Sequence, residues 1–212
     1  MRGFFQLSSA AALLIGAATP ASAAVTICLG GNCSAQPDSN VLVTKGVPGT
    51  TVSGTLNNAP GTVSFTSTEA LIGLANGQAR VGAVDLSLDN PLTFTYNDGL
   101  ISALEFNIDA LTKGNVFFTF SGGNSNGQVT SLYDLGKNGN NFFNAFDGTF
   151  SSVTMTFTDG ATVSNVRQFR LNVAPAVAAV PEPATWAMMM LGFAAIGFSV
   201  RRRKPVVRVR YA

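Results

Sequence analysis

The feature that most constrains this chain is an alternation of apolar and polar residues in short runs. The runs lie at 63–65, 86–88, 92–96, 104–108, 116–120, 153–157 and 169–173. Successive side chains of a β-strand point to opposite faces, so a period of two is typical of half-buried strands. Turn-forming sequences such as Asn97-Asp98-Gly99 and Asp159-Gly160 separate the runs. The pattern predicts an all-β body, an antiparallel β-sandwich or jelly-roll-like domain.

Two local patterns depart from this alternation. Residues 68–75 and 141–145 are predicted to form short helical pieces.

At the turn of Asp159 and Gly160 we expect a three-residue loop that includes Ala161. That loop would place Phe157 opposite Val163 and require a bulge near Asn165, since a slip of one residue turns the apolar side chains outward.

The N-terminal segment has the three parts of a secretory signal. Arg2 supplies a positive charge, residues 4–18 are mostly apolar, and Ala21-Ser22-Ala23 forms a small-residue cleavage site after Pro20. We therefore predict a signal helix over 1–23, with cleavage between Ala23 and Ala24. An uncleaved membrane anchor is the alternative.

The C-terminal segment carries an uncharged apolar run over 184–200, closed by Arg201, Arg202, Arg203 and Lys204. At about 1.5 Å per residue, such a helix would be about 25 Å long, at the short end of the roughly 17–25 residues that cross a bilayer. Trp186 lies near one end, where an indole suits the headgroup region, and the cations at the other end favour a cytoplasmic C-terminus. We predict one transmembrane helix here; a buried core helix is the alternative.

These segments divide the chain into five parts. They are a signal peptide at 1–23, a β-sandwich ectodomain at 24–175, a Pro/Ala linker at 176–183, a transmembrane helix at 184–200 and a basic cytoplasmic tail at 201–212. The arrangement predicts an exported protein. Its precursor would span the inner membrane once, with the C-terminus in the cytoplasm, before the body reaches the cell surface or the extracellular space.

The C-terminal residues also carry a family resemblance. In order they are Pro181, Glu182, Pro183 and Trp186, then Leu191, Gly192 and Phe193, and finally the four cations from Arg201 to Lys204. This series resembles the PEP-CTERM sorting signal of bacterial exported proteins. The resemblance implies recognition by an exosortase, a membrane-embedded cysteine-type transpeptidase, with cleavage near Pro-Glu-Pro. It also implies a bacterium that has an outer membrane and makes extracellular polysaccharide. Residues 205–212 continue beyond the point where such signals usually stop.

The charges are divided unevenly between the body and the tail. Residues 24–180 hold six basic and ten acidic residues, a net charge of −4, whereas the segment from Pro181 onward holds six cations and one acid. The body has no basic composition to match a nucleic-acid backbone, so we expect no nucleic-acid partner.

The cysteines and the lack of histidine limit the chemistry. Cys28 and Cys33 are the only cysteines, and an even pair in an exported chain predicts a disulfide. Without histidine, Ser–His–Asp and Cys–His catalysis are excluded, and no tetrahedral zinc set can be completed. We therefore predict no catalytic residues, no metal and no cofactor.

The carboxylates and amides leave two weaker possibilities open. Glu69 and Glu105 are the only glutamates of the body, and most aspartates adjoin Gly or Asn, where turn formation is favoured over a glycosidase-like carboxylate pair. Calcium could use loop oxygens, for which the candidates are Asp134, Asn138, Asn140 and Asn141, although no EF-hand pattern occurs.

Two functions remain. The first is a non-catalytic structural or interaction protein of the cell surface or extracellular matrix, whose partners are the membrane and an exosortase. The second is a carbohydrate-binding β-sandwich module of the exopolysaccharide or biofilm matrix, with extracellular polysaccharide as partner. Residues 24–180 contain no Trp and only Tyr96 and Tyr133, and their many Phe residues suit a core. This aromatic content favours the first function.

Overall fold

The computed structural model describes residues 23–30, 33, 35–137, 141–175 and 183–201. The chain divides into two compact units after Ala174. Of the predicted signal helix at 1–23, only Ala23 lies among the described residues.

The first unit is built of β-strands. They are β1 (Thr26–Leu29), β2 (Ser39–Val43), β3 (Gly49–Leu56), β4 (Thr62–Gly73), β5 (Gly77–Gln78), β6 (Arg80–Ala83), β7 (Leu92–Tyr96), β8 (Ile101–Ala110), β9 (Gly114–Ser121), β10 (Tyr133–Leu135), β11 (Asn141–Phe146), β12 (Ser152–Thr158) and β13 (Val163–Val173). A 3-10 turn, Gly123–Ser125, follows β9.

All these strands belong to one antiparallel sheet. Its order is β1-β11-β8-β13-β2-β3-β4-β7-β12-β9-β10, with β5 beside β2 and β6 bridging β13 and β4. Because β6 pairs with two strands that β2 and β3 separate in this order, the sheet cannot lie flat. The prediction of an antiparallel all-β body is confirmed, but as one continuous sheet rather than two separately bonded ones.

The sheet folds over one aromatic core. Phe169 of β13 contacts Phe65 of β4 and Phe94 of β7, with ring centroids 4.8 and 5.0 Å apart. Phe106 of β8 meets Phe118 of β9 at 5.5 Å. These rings are fully buried and come from strands distant in the sheet order, so the two arms of the sheet pack face to face.

The alternating runs mostly form the predicted strands. The run at 92–96 is β7, with every second side chain buried, and the runs at 63–65, 104–108, 116–120, 153–157 and 169–173 all lie within strands. The run at 86–88 is a turn instead. Leu86 has a φ of 68° and is exposed, and only Leu88 makes an isolated bridge, to Val163.

Both predicted short helices are wrong. Residues 68–73 continue β4, which pairs with β3 and β6, and residues 141–145 lie in β11 between β1 and β8. In β4, Leu71 is buried between less buried neighbours, whereas β11 buries the three consecutive residues Phe143, Asn144 and Ala145. Pairing with strands distant in sequence therefore overrides local helix propensity.

The predicted hairpin between β12 and β13 is also wrong. Asp159 and Gly160, with φ of 56° and 74°, form a two-residue turn in which the Ala161 N–H donates to the Thr158 carbonyl oxygen at 3.1 Å. The strands then diverge, because β12 pairs with β7 and β9 whereas β13 pairs with β8, β2 and β6. A register irregularity does occur between Val163 and Asn165, but against β8.

The second unit contains a helix, α1 (Pro183–Arg201), at the position of the predicted apolar helix. Among the described residues, no helix combines the length and the apolar character that crossing a membrane requires.

Candidate functional site

The proposed sorting residues cluster at the start and end of α1. Pro183 is the first residue of the helix, a position that suits proline because its missing N–H would have no helical partner there. Trp186 lies one turn further on and is half exposed, and Arg201 closes the last turn. Pro181, Glu182, Arg202, Arg203 and Lys204 lie outside the described residues.

Apart from Ser199 and Arg201, the described side chains of α1, from Trp186 onward, are apolar. The large side chains that it exposes are Trp186, Met188, Met189, Met190, Leu191, Phe193, Ile196, Phe198 and Val200. Its charge is confined to Arg201, in the last turn. A helix that is apolar all round is typical of a protein core or a lipid environment.

The predicted signal cleavage site adjoins an anchored segment. The carbonyl oxygen of Ala23 accepts a hydrogen bond from the buried Ser125 hydroxyl at 2.9 Å. Val25 is buried, and the amide of Gln128 both accepts from its N–H at 2.6 Å and donates to its carbonyl oxygen at 2.9 Å. The body therefore begins to pack within two residues of the bond between Ala23 and Ala24. Sequence reasoning missed Ser125 and Gln128, whose partners lie about a hundred positions away.

Cys28 and Cys33 form a disulfide, with an S–S distance of 2.06 Å. β1 lies beside β11 and β2 beside β13, so the segment between β1 and β2 connects strands that β11, β8 and β13 separate in the sheet. The buried Asn144 of β11 donates to the carbonyl oxygen of Ala35 at 2.6 Å. The disulfide and this hydrogen bond both hold the connecting segment, which we call the strap (the described residues from Gly30 to Asp38).

The acidic side chains of the body mostly hold loops and strand ends. Asp85 accepts from the Ser87 N–H at 3.1 Å, as expected of a turn residue. Asp98 accepts from both the N–H and the hydroxyl of Thr62. Glu69 accepts from the N–H of Asn90 at 2.9 Å.

Asp109 differs from these turn residues, because it lies within β8 and pairs with Arg167 of β13 at 3.3 Å. A register shift between Arg167 and Arg170 marks a bulge there.

The calcium candidates are not assembled into a site among the described residues. The side-chain oxygen of Asn141 accepts from the Gly136 N–H at 2.7 Å, and its nitrogen donates to two carbonyl oxygens. Asp134 is exposed on β10, while Asn138 and Asn140 lie outside the described residues. Nowhere in the described part of the chain do three His, Cys, Asp or Glu side chains approach closely enough to hold a metal.

The two tyrosines of the body are structural. Tyr96 is 3 % exposed, and its hydroxyl donates to the Pro60 carbonyl oxygen at 3.0 Å. Burial, and to a smaller extent the charge of Asp98, raise the pKa of Tyr96 above its usual value of 10.0. Tyr133 packs its ring on Phe118 and Phe143. Tyr96 is therefore too deeply buried to stack on a sugar, and Tyr133 is only partly exposed.

A polar groove of about 660 Å³ lies where four strands begin or end. Its lining residues are Asp38, Ser39, Asn58, Ala59, Ser102, Asn172 and Val173. They come from the start of β2, the turn after β3, the start of β8 and the end of β13. Sequence reasoning did not identify any of them as a site residue.

Two asparagines clamp the backbone of Asp38 in this groove. Asn58 donates through its side-chain nitrogen to the Asp38 carbonyl oxygen at 3.0 Å, and the Asp38 N–H donates to the side-chain oxygen of Asn172 at 2.9 Å. The hydroxyl of Ser102 in turn donates to the Asn172 carbonyl oxygen at 3.2 Å. Because both backbone partners have a fixed donor or acceptor role, they also settle which way each amide points.

Comparison with known proteins identifies one segment of the chain. A family model described as the PEP-CTERM protein-sorting motif matches residues 179–204. The match includes the Pro-Glu-Pro sequence, Trp186 and the four cations from Arg201 to Lys204. It confirms the resemblance and supports an exported, membrane-associated protein that an exosortase processes. No curated protein and no solved structure matches the chain.

Proposed function

We propose that this chain is an exported, non-catalytic protein of the cell surface or extracellular matrix, delivered through a C-terminal signal that an exosortase cleaves. The observation that carries the proposal is the sorting motif at residues 179–204. In the precursor, the apolar segment 184–200 predicted from the sequence anchors the chain at the inner membrane, with the cations after Val200 on the cytoplasmic side. Cleavage near Pro-Glu-Pro then separates the body from that anchor.

Features of the body are consistent with a location outside the cytoplasm. The Cys28–Cys33 disulfide suits an oxidising compartment. Most described residues of the body belong to a folded sheet with its own aromatic core.

A non-catalytic role is supported by how the carboxylates are used. Asp98 and Glu69 accept hydrogen bonds from backbone N–H groups, and Asp109 is paired with Arg167. General acid–base chemistry needs a carboxyl group that can reach a substrate. These three instead hold loops and strands together.

The test is the intact mass of the mature protein from cells with and without the exosortase. We expect the mass with the enzyme to exclude both 1–23 and the residues after the Pro-Glu-Pro cleavage point, and the mass without it to retain Arg201–Lys204. Glu182→Ala within the motif should block processing, whereas Pro205→Ala, just beyond the matched residues, should not. Equal masses in the two strains would overturn the proposal.

A further inference from the structure

We propose that the groove around Asp38 binds a neutral glycan directly, through hydrogen bonds to its hydroxyl groups. The inference goes beyond export and sorting. It rests on the proposed function in one respect only, that the body reaches an extracellular location where it can encounter the glycan. It is carried by the chemistry of the groove and by how rigidly its polar groups are held.

The two asparagine amides of the groove are held in place by the backbone of Asp38, and each keeps one hydrogen-bonding atom unused. After clamping the backbone of Asp38, Asn58 keeps its side-chain oxygen and Asn172 keeps its side-chain nitrogen without a hydrogen-bond partner among the described residues. The Asp38 carboxylate is exposed and also has no hydrogen-bond or ion-pair partner in the described part of the chain. The two asparagine amides, which are fixed in advance, lose little freedom when a ligand binds.

These groups match a polyhydroxylated ligand. The two oxygens of the Asp38 carboxylate can accept from two neighbouring hydroxyls, and O–H···O⁻ hydrogen bonds are about twice as strong as neutral ones. The Asn58 oxygen accepts a third hydroxyl proton, and the Asn172 nitrogen donates to a hydroxyl or ring oxygen. Acceptors outnumber donors in the groove, so the ligand must be rich in O–H donors.

The size and charge of the groove further restrict the class of ligand that it can bind. A volume of about 660 Å³ falls within the roughly 300–1,000 Å³ of small-ligand sites. Ala59 and Val173 pack against the core and give the groove an apolar part that suits the C–H face of a sugar ring. The body carries a net charge of −4, and Asp38 places one of its negative charges inside the groove, so an acidic polysaccharide would be repelled.

The experiment uses the full chain, purified in an amine-oxide detergent because sugar-based detergents would compete. It is screened on an array of neutral and uronic-acid oligosaccharides, and the dissociation constant is measured for each neutral glycan bound. Asp38→Asn keeps the shape but removes the charge, and we expect it to weaken binding at least tenfold. Asp134→Asn removes the same charge from an exposed position on β10 and should leave binding within twofold of wild type.

A second variant separates binding from folding. Asn172→Asp keeps the oxygen that accepts from the Asp38 N–H but loses the donor nitrogen, so it should weaken binding without lowering the melting temperature. The inference is overturned if no neutral glycan binds, if only uronic-acid glycans bind, or if Asp38→Asn binds like wild type. It is also overturned if a calcium chelator abolishes binding, since the contact would then run through a cation.

The proposal for the groove and the proposal for the sorting signal can be disproved independently of each other. The Asp38→Asn variant should be exported and cleaved at the same positions as the wild type, whether or not it binds a glycan. If the mature mass shows no tail cleavage but the purified chain binds a glycan through Asp38, the proposed function fails and the groove stands. If processing is normal and no glycan binds, the proposal for the groove fails and the proposed function stands.

Discussion

Tyr96, together with the nearby Asp98, shows how side chains join two turns of the body. Its hydroxyl donates to the carbonyl oxygen of Pro60 at 3.0 Å, and its ring covers Gly61, where an added Cβ would lie 2.6 Å from the ring. Gly61 has a φ of 113°, a conformation that side chains disfavour. Asp98, two residues after Tyr96, binds the N–H of Thr62 at 2.7 Å. The turn after β3 is therefore fastened to the turn after β7.

Removing the Tyr96 hydroxyl should destabilise the body in a pH-dependent way. Tyr96→Phe leaves the Pro60 carbonyl oxygen without this donor, and we expect it to lower the free energy of unfolding by about 1 kcal/mol near pH 7. Because the pKa of Tyr96 is raised in the folded state, the unfolded chain releases this proton first as pH rises past about 10. The stabilisation is thus complete below pH 10 and is lost as pH approaches the higher folded pKa.

Urea unfolding of the wild type and Tyr96→Phe between pH 7 and pH 11 measures this effect. The difference between the two proteins is the relevant quantity, since lysines and the other tyrosines titrate in both. The difference should shrink above pH 10. A difference that stays constant to pH 11 would contradict the structural role of the buried hydroxyl.

At the scale of elements, the strap protects the edge of the sheet. β1 has four residues and pairs only with β11, so few hydrogen bonds hold it. The Cys28–Cys33 disulfide ties β1 to the strap, and Asn144 of β11 binds the strap at Ala35. An edge strand that came loose would expose the backbone groups of β11 to other chains.

The disulfide and Asn144 should therefore act as one unit. We expect Cys28→Ser/Cys33→Ser to lower the free energy of unfolding by about 2 kcal/mol, because the closed loop is short. Asn144→Ala removes a buried hydrogen bond and should cost about 1 kcal/mol. The three substitutions together should cost less than the sum, because a strap released at one point gains little from being held at the other.

A double-mutant cycle from thermal or urea unfolding tests this coupling. Asn97→Ala is the matched control, since Asn97 binds Ser64 and Thr62 on a different part of the sheet. Its effect should add to that of the disulfide variant within about 0.5 kcal/mol. If Asn144→Ala proves equally additive, the strap is held at two independent points.

The elements that sequence predicts well are those whose signal is local. The run at 92–96 both alternates and ends at a turn, and it becomes β7. Residues 68–73 carry Glu69, Ala70 and Leu71, which favour a helix locally, yet β3 and β6 supply the hydrogen bonds that make them a strand. The turn at Asp159 and Gly160 forms as its residues favour, but which strands pair across it depends on the core and not on the turn.

The same distinction separates the two candidate sites. The sorting motif is contiguous, so Pro181 to Lys204 can be recognised in the sequence. The groove brings Asp38 together with Asn172 across 134 positions, and neither residue lies in a motif. Only the sheet order, which places β2 beside β13, makes them neighbours.

At the scale of the whole molecule, the net charge of the protein shows whether the C-terminal tail has been removed. The full chain has a pI of about 8.7. Removal of 1–23 alone takes away Arg2 and leaves twelve basic and eleven acidic residues, a net charge of +1. Removal of the tail as well leaves the body with a net charge of −4, or −5 if Glu182 remains. Only loss of the tail reverses the sign.

Isoelectric focusing therefore separates the processed from the unprocessed protein. From cells that have the exosortase we expect an acidic band, because the cations after Val200 have been removed. From cells without it we expect a band on the basic side of neutrality, since twelve cations still outnumber eleven acids. A chain truncated after Val180 is the control and should focus at acidic pH in both strains. A basic band in exosortase-containing cells would mean that the tail stays attached, and the body would then be presented on a retained anchor rather than released from it.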